Sequence, residues 1–534
     1  MTQAAICAII LSCACALPVH AQDSLLLRDF HYVKSTNAWL TSSNAATLTR
    51  MEADNLSEAT ATVTSGHGGL TDFSGSPEDL HAGATAESFT RLTPHTVVHG
   101  RMRYDNYSGK RMGGSTFIDC RHLPFDIVED SLTNLGKKHL DTYQLTGGVG
   151  TELWKKLSVG ARLDYTAANY AKYKDLRHKN KLMDMTLTVG AWMPIGKVLS
   201  LGANYYYRRT TEGVTYSLHG REDKVYKSLI NYGPFIGKVE QFGYNGFTDR
   251  SREMPMVDDY NGAGLQLGVE MGNVAFINEA TIARRKGYYG RKSPYTITFS
   301  HHASKTYNYK GSLSVKSRRT LHIIRMEMDV ENLKNHFASY REMKNDAGAN
   351  YYEYYDAVKT TDKVWVDGKV NYTALIDVRG EMPSWMLTLG CSWQHRRQTA
   401  YLYPYYRRQH LDNREWNVGA TRNLLLQKGI LSLTLQGAFL HGSGEPYEDF
   451  TFAKPSDKQS TPATMDTWLH REHVWLTAPQ YNVSGIARYA FLFPGTHMKT
   501  FVETMVSHRK ANTTNPYAVG RDRTTLQLTL GADF

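Results

Sequence analysis

Cysteine is scarce in this chain, five in 534 residues. Cys7, Cys13 and Cys15 lie near the N-terminus, which leaves Cys120 and Cys391 for everything else. Two cysteines cannot staple a chain of this length, so a disulfide-built scaffold is excluded. Cys391 stands among Trp385, Leu387, Leu389 and Trp393 on one face of an alternating stretch, a packing position rather than a ligand. Long apolar runs are missing too. Beyond residue 21 none approaches the ~20 residues that a membrane-crossing helix needs. Proline is sparse, 16 in all. Catalytic signatures are also lacking. Gly442-Ser443-Gly444 does not have the pattern of a nucleophile elbow, and there is no Walker loop, CxxC pair or HExxH helix. His301-His302 is the best metal-like pair, but neighbours on a strand point to opposite faces, so one site can use only one of them. No enzymatic activity, cofactor or metal is expected.

What is present begins with an export signal. Ala4 to Leu17 is apolar and too short to span a bilayer, and Val19-His20-Ala21 has the small-x-small spacing of a cleavage site. Residues 1–21 are read as a signal peptide, with Gln22 the mature N-terminus. An exported chain without helical spans is periplasmic, secreted, or a β-barrel in an outer membrane. Composition leans to the barrel: 34 Tyr, 18 Phe, 9 Trp and 43 Gly suit alternating strands and aromatic girdles. The net charge is +11, and residues 1–21 contribute none of it. An exported protein does not meet nucleic acid, so this basicity points to anionic lipid or an anionic ligand.

Alternation of apolar and polar residues runs through most of the chain. The last stretch is clear: Leu526, Leu528, Leu530, Ala532 and Phe534 share one face, with Thr525, Gln527, Thr529, Gly531 and Asp533 on the other. Similar rhythm marks Leu145–Leu153, Leu157–Tyr165, Met183–Ala191, Leu199–Tyr207, Ala263–Met271, Tyr309–Val315, Val364–Val378, Trp385–Trp393 and Leu431–Phe439. Very short connections fall at Pro94, Trp154-Lys155-Lys156, Pro194-Ile195-Gly196, Gly272-Asn273, Ser317-Arg318, Pro383-Ser384, Lys428-Gly429 and Pro494-Gly495. Long polar stretches alternate with them, at about 109–138, 211–259, 334–362 and 442–483. Short turns on one side and long loops on the other predict an all-β, antiparallel, up-and-down transmembrane barrel with periplasmic turns. Eight turns make sixteen strands. The closing strand and one near residues 56–65 bring the count to about eighteen, within a range of fourteen to eighteen. Residues 22–54 do not alternate and are expected to form a periplasmic segment or short plug, with the barrel over 55–534.

The upper strand ends combine Tyr with Arg: Tyr206, Arg208 and Arg209; Tyr288 and Tyr289 within Arg284-Arg285-Lys286-Gly287-Tyr288-Tyr289-Gly290-Arg291-Lys292; Arg396, Arg397, Tyr405, Tyr406, Arg407 and Arg408. Two readings compete. Tyr belongs where one end is apolar and the other wet, and Arg chelates phosphates of an anionic leaflet. Alternatively, these rings and guanidinium groups form a ligand platform. The expected lumen charges are Arg162, Asp164, Arg325, Glu327 and Asp329, with Glu331, Asp184 and Glu270 beside them. The loops at 211–259 and 442–483 are long enough to fold inward and constrict the bore.

Trp39-Leu40-Thr41-Ser42-Ser43-Asn44-Ala45-Ala46 resembles the N-terminal hatch of fatty-acid-transporter-like barrels over about ten residues, departing where the hatch has Pro. The terminal aromatic with Leu526, Leu528 and Leu530 resembles the C-terminal assembly signal of bacterial outer-membrane barrels. As a whole the chain resembles Bacteroidota outer-membrane β-barrels. That resemblance implies a Gram-negative outer membrane, contact with its lipid and lipopolysaccharide, and insertion by the barrel-assembly machinery. It implies a channel or transport component for nutrient passage, or else a closed-lumen surface-binding or accessory barrel. Either could work beside another outer-membrane receptor. A plug domain of ~120 residues has no room before the first strand, which argues against a TonB-dependent receptor.

Overall fold

A computed structural model describes residues 26–129, 134–154, 156–220, 225–242, 254–293, 296–496 and 498–534. The signal-peptide assignment lies outside these residues. From Asn55 to Asp533 the chain closes an antiparallel barrel of 18 strands. The first strand, Asn55–His67, pairs with the second, Glu78–Thr93, and also with the last, Asp522–Asp533, so no edge is left. Closure reaches the terminus, where Phe534 N–H donates to Ser57 O at 2.9 Å and Ser57 N–H donates back to Phe534 O at 3.2 Å.

All eight expected turns lie at one end of the barrel, and both chain ends join them there. This is the turn end. Gly196, Gly272, Gly380 and Gly495 take positive φ in four of the turns, a conformation that favours glycine. The turn placed at Pro383-Ser384 falls at Gly380-Glu381, because the strand Met382–Leu402 starts before its proline. At the other end, the loop end, connections include 113–135, 218–253, 338–357 and 444–479, close to the four long stretches expected. The barrel strands are 12 to 22 residues long. Only ~9–11 tilted residues are needed to cross a bilayer. The surplus builds wall beyond it.

Period-two alternation puts each polar face in the lumen and each apolar face outside. Leu145, Leu163, Leu187, Leu201, Ile282, Tyr307, Leu526 and Leu530 all face outward, and Leu265 and Leu435 are 69% and 65% exposed. A continuous uncovered apolar girdle of this kind is incompatible with water and matches hydrocarbon. The buried residues lie inside the barrel, in two separate layers.

Candidate functional site

The first layer is a floor made by residues 26–54. Leu26 packs with Met382 and Ile430 at the turn end, and Asp29 N–H donates to Glu381 at 2.7 Å. Asp29 then caps the helix Phe30–Thr36 by accepting from Tyr32 N–H at 2.8 Å. Asn37 and Asn44 open the short 3₁₀ turns Ala38–Thr41 and Ala45–Arg50 in the same way. Phe30, Leu40, Leu48 and Met51 form an apolar core with Leu56, Phe89 and Val97 of the wall.

The stretch Trp39–Ala46 makes the tightest wall contacts. Trp39 meets Trp192 edge-on at 5.7 Å and donates Nε1–H to Glu270 at 3.1 Å. Ser42 Oγ–H donates to Glu279 at 2.6 Å. Asn44 is fully buried, and its Nδ2 donates to Ala191 O and to Gln266 Oε1, both at 2.9 Å. The floor backbone presses against wall glycines. A Cβ on Gly160 would lie 2.3 Å from Ala46 N, and one on Gly150 2.4 Å from Ala45 O. Beside the helix, on the opposite side of the lumen, a cavity of about 700 Å³ is lined by Arg325, Glu327, Gln436, Arg488, Lys499 and Glu503. Arg325 donates to Ser35 O, joining helix to wall.

The second layer is a cap in the loop half of the lumen. Segments Asp126–Glu129, Tyr226–Asn231, Ile236–Phe242 and Ala463–Thr464 form a four-stranded sheet of their own, followed by the helix Asp466–Thr477. Ile127, Leu229, Ile230 and Ile236 give these short strands their β propensity and their burial. Phe73, from the first loop, packs edge-on against Phe235 at 5.0 Å and against Trp468 at 6.3 Å. Trp468 Nε1–H donates to Glu129 O at 3.1 Å. The inward folding expected for the loops at 211–259 and 442–483 is thus observed, and 109–138 joins them.

Loop backbone taken out of water needs partners for its carbonyls, and wall cations supply many of them. Lys138 Nζ donates to Gly113 O and Ser115 O at 3.0 and 2.9 Å. Lys363 donates to Leu123 O at 3.0 Å, and Arg407 to Pro234 O at 3.2 Å. Arg285 donates to His122 O at 3.0 Å while its fork grips Asp258 at 2.7 and 2.9 Å and reaches Glu331 at 3.1 Å. His302 lies 2.6 Å from Asp258, whereas His301 faces outward. His122, on the cap, stacks on Trp365 at 4.6 Å, with Nδ1 2.8 Å from Glu331 and Nε2 3.6 Å from Asp367. Burial opposes its charge, but bonds to Asp367 and Glu331 outweigh that and carry its pKa up to about 9. Burial pushes the Asp126 carboxyl up to about 6, against its bond from Ser115 at 2.6 Å.

The residues expected to form one ligand platform divide between two faces. Tyr206, Arg208, Tyr289, Arg396 and Arg407 point into the lumen. Arg208 pairs with Asp184 at 2.7 Å, Arg396 with Glu472 at 2.8 Å and Arg407 with Asp449 at 2.6 Å, while Tyr289 is fully buried. Tyr405 shares the lumen-facing parity of Arg407. Arg209, Tyr288, Arg397, Tyr406 and Arg408 face outward, with Arg408 over the Tyr406 ring at 5.2 Å. Adjacent strand residues diverge, so Tyr-Tyr and Arg-Arg pairs cannot build a single surface. The charges named for the lumen share the inward-facing parity of their strands. Arg162 bonds Asp164 at 2.8 Å, Glu327 lies 3.8 Å from Lys369, and Asp329 accepts from Asn308. Sequence reasoning had Arg285 only as part of the rim run from Arg284 to Lys292, and missed Lys138, Lys363 and the cap sheet. The apolar density of Phe117, Phe125, Ile127 and Val128 inside a nominal loop was the available signal.

A family model described as "Family of unknown function (DUF6850)" matches residues 45–534, and the chain belongs to that family. No curated protein matches. Among solved structures the chain is similar to BauA, the ferric preacinetobactin receptor from Acinetobacter baumannii, at 8% identity and TM-score 0.38, covering 90% of this chain and 80% of that one. It is similar to the outer membrane transporter YddB from Escherichia coli at 8% identity and TM-score 0.39, covering 91% and 81%. It is also similar to the alcaligin receptor FauA from Bordetella pertussis at 7% identity and TM-score 0.39, covering 89% and 76%. The likeness is one of barrel architecture.

Proposed function

Taking as premise that the family has no assigned activity, we propose that the protein is a gated passage barrel of a Gram-negative outer membrane. The turn end lies in the periplasm and the loop end outside. The apolar girdle and the gathering of all eight short turns at one end, with the long connections at the other, support that placement. The observation that carries the functional reading is a charged lumen filled by two separate layers. The floor occupies the turn half of the bore, the cap occupies the loop half, and a polar cavity of about 700 Å³ lies beside the floor helix. Passage of a nutrient then requires displacement of both layers, and much of what holds them is hydrogen bonds and ion pairs that water or a solute can replace.

A second reading, a surface-binding or accessory barrel whose lumen never opens, draws on the apolar cores within the cap. A locked floor separates the two. Thr49 Oγ1 and Ser158 Oγ are 2.9 Å apart, so T49C/S158C is placed to form a disulfide between floor and wall. A strain lacking the protein first identifies the carbon, iron or metal source on which it fails to grow. The passage reading expects the oxidised double-cysteine strain to fail on that source and to recover with reductant. Unimpaired growth of the locked strain would sink passage and leave the accessory role.

A further inference from the structure

We infer that the outer wall carries a binding site for the phosphates of a glycolipid in the outer leaflet, built by Arg284, Lys286, Lys305 and Lys334. The inference rests on the outer-membrane placement proposed above and adds a specific lipid contact to it. Register brings the four together. Arg284 pairs directly with Lys305, Lys286 pairs with Ala303, and Ala303 pairs with Lys334 on the next strand. Neighbouring strands are about 4.8 Å apart and alternate residues about 7 Å along a strand. All four cations therefore surround the small side chain of Ala303, their positions within about 12 Å of one another. All four are exposed and outward, and among the described residues none has a hydrogen bond or an ion pair. Unneutralised like charges at this spacing repel one another. An anion of more than one charge would relieve that repulsion.

Three further features identify the anion. The position is the boundary of the apolar girdle: one alternate step below Arg284 and Lys305 lies the paired row Ala263, Ile282, Tyr307 and Val330. Charges at that height meet headgroups, not acyl chains. A groove of about 570 Å³ opens at the same place, and Tyr288 lines it with Lys292 Nζ 4.2 Å above its ring. An aromatic face beside phosphate-binding cations fits a sugar that carries phosphate. Finally, the two carboxylates paired across strands with these cations are already engaged. Asp259, opposite Lys286, accepts from Tyr207 at 2.6 Å and from Arg209 at 3.1 Å, and Asp362, opposite Lys334, pairs with Lys359 at 2.5 Å, which leaves the four cations to an external partner.

The test uses full-length protein folded in detergent and native mass spectrometry. The probes are bis-phosphorylated lipid A, lipid A stripped of both phosphates, and pyrophosphate alone. Wild type is expected to retain bis-phosphorylated lipid A at least tenfold more tightly than the stripped lipid or pyrophosphate. R284Q/K286Q/K305Q/K334Q is expected to lose at least tenfold of that affinity, and K197Q/K428Q, on periplasmic turns, to lose none. Equal binding of the stripped lipid, or equal retention by the quadruple variant, would overturn the site. Pyrophosphate binding as tight as lipid A would overturn the lipid assignment in favour of a soluble anion. A heat-modifiable gel band checks folding independently and bears on the barrel reading alone. If the quadruple variant fails that check, K286Q/K334Q carries the test with an expected loss of about threefold.

Discussion

The floor and the cap close the same lumen by different physics. The floor is one continuous segment, 26–54, that leads straight into the first strand and lies backbone-to-backbone against wall glycines. Its fit is steric, and small residues on both sides make it possible. The cap comes from loops far apart in sequence, has its own sheet and helix, and hangs from charged wall side chains. Its fit is electrostatic and apolar at once. The floor should thus be the more sensitive to volume and the cap the more sensitive to charge, although the ion pairs Lys34–Glu87 and His31–Glu58 hold the floor as well.

The largest expected effect is at Arg285. R285A leaves Asp258 and Glu331 buried beside each other without their shared cation, and such losses cost about 3–5 kcal/mol. The cap should loosen while the floor holds, seen as new protease cleavage within 113–129 and a lower temperature for the heat-modified gel shift. Next comes G160L. Its added side chain collides with Ala46, and overpacking of this kind costs about 1–3 kcal/mol. Cleavage should appear in 26–54 and not in 113–129. N44A removes bonds to Ala191 O and Gln266 Oε1 and strands buried partners, which costs about 1–3 kcal/mol. Floor protection against proteolysis should fall without a change in the cap. The smallest effect is that of pH. His122 holds its proton up to about 9 in the fold against an ordinary 6.5. A raised pKa means that its stabilisation is complete below 6.5 and is lost as pH climbs through about 9. Asp126, raised from 3.8 to about 6, gives up its contribution as pH rises through about 6. Cap protection should therefore decline from mildly acid to alkaline pH, with H122Q abolishing the upper step in the cap and leaving the pH profile of the floor, set by its own His31–Glu58 and Lys34–Glu87 pairs, unchanged. A floor profile that moves with H122Q would erase the distinction.

Much of the barrel was legible because period-two alternation and short turns are local signals. Leu145 and Leu526 face outward and Arg162 and Arg325 inward, as their parity implies, and the stretch near 56–65 is the first strand, on which the last one closes. The departure of residues 22–54 from alternation was visible, and Asn44-Ala45-Ala46 is where the floor meets the wall most closely. The cap was not legible as a structure. Tyr226–Asn231 and Ile236–Phe242 pair as a hairpin within one loop, but the other strands join them from loops about 100 residues or more away, as Asp126–Glu129 does with Tyr226–Asn231 and Ile236 with Thr464, and such register leaves no local periodicity. The Tyr/Arg clusters misled for the converse reason: proximity in sequence was read as a shared surface, and the pleat separates them.

Single-channel recording in planar bilayers tests the two-layer closure most directly. Wild-type protein, shown to be folded by its heat-modifiable band, should stay silent. A variant lacking residues 30–50 and carrying R285A should give discrete conductance steps. Stable ohmic steps from the wild type would contradict the account.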